Sequence, residues 1–220
     1  MSLKNGEMKT LLFWGFLIIL FIGCKKSVVH NFDGHKGTDI FPNKIGDTWL
    51  YLVNDTLVNR SSEDSPFVQY NMTVSVIESI ELAGGIKANV WVYSYPAGSD
   101  TNYVFQTEDT IHFIDINQNV YSTFARQYIV PLQLHNSWKY SVPSFQKVTV
   151  DSKSNIKVGQ YNYENAFHIS GYSGLPDATF EIKEWVADNV GVVKRYFNPD
   201  GMAIDPRHVI SWTLVNYHLE

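Results

Sequence analysis

From Pro42 onward, hydrophobic and polar residues alternate along the chain with a period of two. Side chains two positions apart share a face of a β-strand, so Trp49, Tyr51 and Val53 are predicted to point to one side of the first strand. Turn signals such as Gly84-Gly85 separate about ten segments of this kind. The pattern predicts an all-β fold, either an antiparallel β-sandwich or an open curled barrel of about ten strands.

Two segments of the predicted domain resemble each other. Pro42 opens PNKIGDTWLY and Pro131 opens PLQLHNSWKY, so that Trp49 and Trp138 occupy the same place in each. In both segments a proline fixes φ, an Asp or Asn with a hydroxyl residue closes a turn, and the Trp starts a strand. We hypothesise two tandem similar halves, residues 42–130 and 131–220; chance similarity with shared turn chemistry is the alternative.

An unbroken apolar run, Leu11 to Ile22, precedes this pattern and follows two basic residues, Lys4 and Lys9. As a helix the run rises only about 18 Å, which is too short for a hydrocarbon core of about 30 Å. The length is typical of the h-region of a secretory signal peptide. An uncleaved signal anchor is the alternative.

The apolar run ends at Gly23-Cys24, and Cys24 is the chain's single cysteine. A small residue directly before a cysteine is typical of a lipoprotein cleavage site, although Phe21 stands where Leu is usual. The sequence therefore predicts a lipoprotein signal peptide over residues 1–23, lipidation of Cys24, a flexible tether over 24–41 and an all-β domain over 42–220. Two or three acyl chains would hold the protein stably on its membrane.

Three motifs carry a resemblance to a known family. They are the FPNKIGDTWLY opening, the P-L-x-x-x-x-S-W segment that ends at Trp138, and W-x-A-x-x-V-G-x-V-K from Trp185 to Lys194. Together they resemble uncharacterised lipoproteins of Bacteroidota-type bacteria. The resemblance implies attachment in the cell envelope, at the periplasmic face of the outer membrane or displayed on the surface. It implies no particular activity, and it places His135 where the family usually has Gly.

Charge and composition narrow the class of partner. The formal net charge of −5 argues against nucleic acid, which requires a basic surface. Aromatic residues make up 15% of the chain, and although they are expected first of all in the core, their number leaves room for a ligand groove that suits sugars or apolar ligands. The candidates for such a groove are Trp49, Trp91, Trp138 and Trp212.

No motif predicts a metal site or a cofactor. The Asp115-x-Asn117-x-Asn119 segment begins like an EF-hand loop, but Val120 replaces the required Gly, so a polar turn is the preferred interpretation. The cluster from His30 to Asp39 has metal-ligand residue types, but it lies in the tether, where nothing pre-organises it.

No motif predicts catalysis either. Gly171 to Leu175 nearly matches G-x-S-x-G, but its second Gly comes one place early and no strand–turn–helix context surrounds it. Glu181, Glu184 and Asp188 are interpreted as a solvated strand face and turn instead of a catalytic carboxylate pair. The histidines after residue 41 are scattered.

Three functions remain open at this point. The preferred hypothesis is a non-catalytic envelope module that presents β-sheet surface to a protein or glycan. The first alternative is a periplasmic carrier of lipid or another apolar ligand, which requires a cavity around the tryptophans. The second is an envelope hydrolase, which requires a cleft that brings histidines and carboxylates together.

Overall fold

A computed structural model describes residues 40–58, 66–115, 126–140, 147–172, 181–199 and 207–220. The predicted signal peptide, Cys24 and most of the predicted tether lie outside these ranges. No helix in the described part of the chain is long and apolar enough to cross a membrane. The twelve strands are β1 (Thr48–Val58), β2 (Phe67–Leu82), β3 (Ile86–Tyr95), β4 (Gly98–Thr107), β5 (Thr110–Asp115), β6 (Arg126–Ile129), β7 (Ser137–Lys139), β8 (Lys147–Val158), β9 (Tyr161–Tyr172), β10 (Glu181–Ala187), β11 (Gly191–Asn198) and β12 (Arg207–His218).

All twelve strands belong to one antiparallel sheet, whose order is β6-β5-β4-β3-β2-β1-β12-β11-β10-β9-β8-β7. Neighbours in the sheet are neighbours in the chain except at one place, where β1 pairs with β12 over the full length of both strands, from Thr48–His218 to Val58–Arg207. The sheet therefore consists of two six-strand meanders that are joined through this long pairing.

The two ends of the sheet, β6 and β7, curl toward each other and nearly close a barrel. We call this junction the seam. The backbone N–H of Gln127 donates to the carbonyl of Tyr140 at 2.7 Å, and the indole N–H of Trp138 donates to the carbonyl of Gln127 at 2.7 Å. Strands of four and three residues form only a short seam, so contacts inside the barrel must contribute to its closure.

The chain enters the barrel at one end, which we call the tether end. Tight turns lie there at Gly84-Gly85, Glu108-Asp109, Gly159-Gln160 and Asp188–Val190. The connections at the opposite end include residues 59–65, 116–125, 141–146, 173–180 and 200–206, which lie outside the described residues.

Phe41 fills the interior at the tether end. Its side chain is 1% exposed, and its ring centroid lies 4.5 Å from that of Tyr128 and 5.7 Å from that of Phe113. Gly191, with φ of 88°, allows this approach, since a Cβ there would lie 3.2 Å from Phe41 Cδ1. Ile40 is also buried. The last two residues of the predicted tether are thus part of the core.

Phe41 thus acts as a plug of the tether end, and further aromatic side chains pack against one another above it. Trp49 stacks on Trp91 with 4.7 Å between ring centroids, and Trp91 meets the edge of Phe113 at 5.2 Å. The indole N–H of Trp49 donates to the carbonyl of Val190 at 2.8 Å, and that of Trp91 donates to Asn43 Oδ1 at 2.6 Å. These rings therefore pack in direct contact, and both indole N–H groups are hydrogen-bonded.

The two segments that resemble each other have matching backbone geometry. Gly46 N–H donates to Val76 O at 2.9 Å, and His135 N–H, 89 residues later, donates to Val150 O at 2.8 Å. Both donors have positive φ, 103° for Gly46 and 68° for His135. In the ladders, β2 has a bulge directly after Val76 and β8 has one directly after Val150. These matches add geometry to the repeat hypothesis, which stays a hypothesis.

The prediction of an all-β antiparallel fold is confirmed, and of its two forms the curled barrel is the one observed, with twelve strands. The predicted alternation holds in detail, since Trp49, Tyr51 and Val53 are all buried. The predicted Gly84-Gly85 hairpin is also present, with φ of 82° and 79°.

Replacing Phe41 tests whether the plug stabilises the barrel. Phe41→Ala should lower the free energy of unfolding by about 3–5 kcal/mol, because it leaves a cavity among aromatic rings. The measurement is urea unfolding of the full-length protein in detergent, followed by tryptophan fluorescence. Phe67→Ala is the matched control, because Phe67 is 59% exposed and its loss should change stability by less than about 0.5 kcal/mol. Equal midpoints for the two variants would contradict the role given to Phe41.

Candidate functional site: a buried charged network below an open barrel mouth

Two charged residues face each other inside the barrel. Glu184 on β10 and Arg195 on β11 are directly paired in the ladder, and their side chains are 0% and 2% exposed. Arg195 Nε lies 3.2 Å from Glu184 Oε1. The guanidinium also lies over the ring of Trp212 on β12, with Cζ 4.6 Å from the ring centroid. The pair is thus held by three adjacent strands of the second half.

Two tyrosines from the seam complete the surroundings of Glu184. Tyr128 Oη on β6 donates to Oε2 at 2.7 Å, and Tyr140 Oη, directly after β7, donates to Oε1 at 2.5 Å. Arg126 Nε in turn donates to Tyr128 Oη at 2.9 Å. Both carboxylate oxygens accept hydrogen bonds, as buried carboxylates require. We call Glu184, Arg195, Tyr128, Tyr140 and Arg126 the Glu184 network.

Burial keeps the two phenols in their protonated form. It raises the pKa of Tyr128 and of Tyr140, and the negative charge of Glu184 acts in the same direction on both. The guanidinium groups act in the opposite direction but do not reverse the shift. Both phenols therefore retain the proton that each donates to Glu184.

The Glu184 network crosses the barrel interior. Glu184 and Arg195 come from the wall formed by β10 and β11, whereas Tyr128 and Tyr140 come from the two sides of the seam. One carboxylate thus joins both edges of the sheet to the wall formed by β10 and β11. Arg126, whose Cζ lies 4.1 Å above the ring of Phe113, attaches the network to β5.

The prediction for Glu184 was wrong, since this residue lies in the core and not on a solvated face. The same prediction holds for Asp188, which is an exposed turn residue, and Glu181 is partly exposed beside Lys183. A signal was present in the sequence, because Glu184 shares the strand face of Ile182 and Val186, both of which are buried. The polar turn that begins at Asp188, directly after β10, favoured the solvated-face prediction instead.

The four tryptophans that were candidates for a ligand groove are all buried, at 2% to 5% exposure. Trp49 and Trp91 lie in the tether-side aromatic packing, Trp138 lies at the seam and Trp212 lies beneath Arg195. A ligand could reach these rings only inside the barrel. The groove stays a prediction.

Candidate metal ligands and the lipidation site are placed as follows. No group of three or more His, Cys, Asp or Glu side chains that could hold a metal occurs among the described residues. Asp115, the first residue of the EF-hand-like segment, is buried at the end of β5. Asn117, Asn119, Cys24 and the His30–Asp39 cluster lie outside the described residues.

The described histidines lie apart, and each has its own neighbour. His112 Nε2 lies 2.8 Å from Thr107 Oγ1, and burial lowers the pKa of this histidine. His168 stacks on Trp185 with 4.8 Å between centroids. His208 Nδ1 lies 2.8 Å from Asp55 Oδ1. The hydrolase hypothesis requires a cleft that holds several such groups, and these contacts occur at separate places.

The barrel end opposite the tether end is lined by side chains that continue the inward-facing rows of the core. We call this rim the mouth. Each of its residues lies two positions beyond a buried residue of its strand, and four of the five pack partly against the core. The mouth residues are Asp55, Tyr70, Tyr95, Phe197 and Ile210.

Tyrosines and carboxylates interact around the mouth. Tyr70 and Tyr95 lie with ring centroids 6.4 Å apart, and Tyr95 Oη donates to Asp100 Oδ2 at 2.9 Å. Burial raises the pKa of Tyr95 to about 12, with the hydrogen bond to Asp100 as the second cause. Burial also raises the pKa of Tyr70, and the charge of Asp55 adds to the shift. The mouth therefore presents phenol rings beside acidic groups.

Comparison with solved structures finds two proteins of similar outline. One is a protein of Bacteroides fragilis that is described as exported and as having a YmcC-like fold, with 10% identity, a TM-score of 0.47, and coverage of 81% of this chain and 98% of that one. The other is a Parabacteroides distasonis protein that is described as a lipoprotein, with 14% identity, a TM-score of 0.36, and coverage of 84% and 100%. No family model and no curated protein matches this chain. The proposals below therefore rest on this chain's own residues.

Substitution of Glu184 tests the network. Glu184→Gln removes the only carboxylate that the network contains and leaves Arg195 buried beside a neutral amide. We expect a loss of about 3–5 kcal/mol in the free energy of unfolding.

The matched control is Glu181→Gln on the same strand, where the pair with Lys183 is about 40% exposed on both sides. This exposed pair should contribute less than about 1 kcal/mol. The measurement is the free energy of unfolding of the two variants, determined by denaturant unfolding under the same conditions. If Glu184→Gln is no less stable than Glu181→Gln, the network does not hold the barrel together.

Proposed function

We propose that the protein is an exported lipoprotein of the bacterial cell envelope whose barrel is a non-catalytic binding module, with the mouth as its binding surface. The observation that carries the proposal is the difference between the two barrel ends. The chain enters at the tether end, where Phe41 and its aromatic neighbours occupy the interior. The mouth lies at the opposite end, away from the predicted anchor at Cys24.

This arrangement supports presentation of the mouth to a partner in the periplasm or at the cell surface. A lipidated Cys24 would precede the first core residue, Ile40, by sixteen positions. The acyl chains would hold the tether end toward the membrane, at the outer membrane in the favoured arrangement, and leave the mouth facing outward.

The chemistry of the mouth suits a glycan or protein partner. Tyrosine rings provide flat apolar surface with a polar edge, and these rings are enriched in recognition surfaces. Asp55 and Asp100 beside them supply hydrogen-bond acceptors that can fix the orientation of a partner. Val68, which is 57% exposed and lies two positions before Tyr70 on β2, extends this surface.

The apolar-carrier hypothesis receives less support. Its cavity was expected around Trp49, Trp91 and Trp212, and these rings instead contact other core groups at 4.6–5.8 Å. The buried charges of Glu184 and Arg195 also lie in the middle of the barrel, where an acyl chain would have to pass.

Site-specific photocrosslinking in intact cells tests the proposal. The photoreactive residue p-benzoylphenylalanine replaces Val68 at the mouth or Ile45 at the tether end, which are 57% and 56% exposed. We expect a discrete crosslinked species, protein or glycan, from position 68 and none of the same mass from position 45. Identical products from both positions, or none from position 68, would contradict the mouth as the binding surface.

A further inference from the structure

The Arg195 guanidinium has donor capacity that the protein leaves unused. The side chain is 2% exposed, and its Nη1 has no hydrogen-bond partner. Its Nε lies within ion-pair distance of Glu184 but does not direct its N–H at the oxygen. A guanidinium carries five donors, and a buried donor without an acceptor is costly, so a group that is absent from the protein itself is expected to meet Nη1.

In this geometry Glu184 accepts no directed hydrogen bond from Arg195 Nη1. Its Oε2 already accepts from Tyr128 and its Oε1 from Tyr140, in addition to the ion pair with Arg195. Trp212 offers the guanidinium only its ring face, which attracts the charge but accepts no in-plane hydrogen bond. Glu184 and Trp212 therefore hold the guanidinium of Arg195 in position but leave its Nη1 without an acceptor.

Arg195 lies directly below the mouth. It precedes Phe197 by two residues on β11, so both side chains face the interior and their Cα atoms are about 7 Å apart along the strand. On β12, Trp212 pairs with Arg195 and Ile210 pairs with Phe197, so Trp212 lies at the depth of Arg195 and Ile210 at the depth of Phe197. Arg195 and Trp212 thus lie one inward-facing position below the mouth residues Phe197 and Ile210.

We infer that Arg195 binds a carboxylate group of the ligand that enters at the mouth. The inference rests on the proposed function, since that function supplies the ligand. A carboxylate fits because its two oxygens match the planar fork of a guanidinium. The tyrosines and carboxylates of the mouth contact the rest of the ligand, so the partner becomes a glycan that carries uronic-acid residues.

Formate, the smallest carboxylate, is the probe. Thermal unfolding of the full-length protein in detergent is measured in sodium formate and in sodium chloride of equal concentration. We expect formate to raise Tm by about 2–4 °C once it exceeds its Kd several-fold. Arg195→Met should abolish the increase.

Lys194→Met is the matched control, because Lys194 lies over Trp185 on the outer face, with Nζ 4.8 Å from the ring centroid, and carries the same charge. This variant should keep the full formate effect. An equal Tm increase in Arg195→Met, or none in the unmodified protein, would overturn the inference.

A crystal structure grown in formate covers the case in which Arg195→Met does not fold. The expected result is planar three-atom density within hydrogen-bond distance of Arg195 Nη1. A single water at that position would overturn the inference. Because the photocrosslinking at position 68 does not depend on Arg195, a failed formate test with successful crosslinking would reject the anion site alone, and failure at position 68 would reject the binding surface.

Discussion

The carboxylate of Glu184 has no access to water, and the rest of the barrel is arranged around that constraint. A buried charge is tolerated only when it is paired and hydrogen-bonded. Its partners come from three different strands or strand ends: Arg195 from the adjacent strand, and Tyr128 and Tyr140 from the two edges of the sheet. The energetic requirement of one side chain therefore brings together the two strands that the hydrogen-bond ladder leaves almost unjoined.

This constraint also divides the barrel into layers with different chemistry. Phe41 and the stacked tryptophans form an apolar layer at the tether end, and the Glu184 network forms a polar layer above them. The mouth follows, with its tyrosines partly exposed. A ligand that enters from the mouth would meet phenol rings first and a guanidinium next, and it would meet packed aromatic rings beyond that. The layering supports recognition at one end more than storage in the middle.

Local pattern was sufficient to predict the strands, because the alternation of residues such as Trp49, Tyr51 and Val53 reports directly which side chains are buried. The closure of the sheet could not be predicted, since the β1–β12 pairing and the seam join residues far apart in sequence. The site was missed for a related reason. Glu184 shares a face with Ile182, but its partners lie 44 and 56 residues earlier, where no local pattern indicates them.

The most direct test of this account is a double-mutant cycle between Glu184→Gln and Tyr140→Phe, with stability measured by urea unfolding of both single variants and the double variant. If the carboxylate joins the seam to the wall formed by β10 and β11, the two substitutions should be coupled by about 0.5–3 kcal/mol, because Glu184→Gln removes the charge and Tyr140→Phe the donor of the same charge-assisted hydrogen bond. Additive effects would contradict the claim that Glu184 holds the edges of the barrel together.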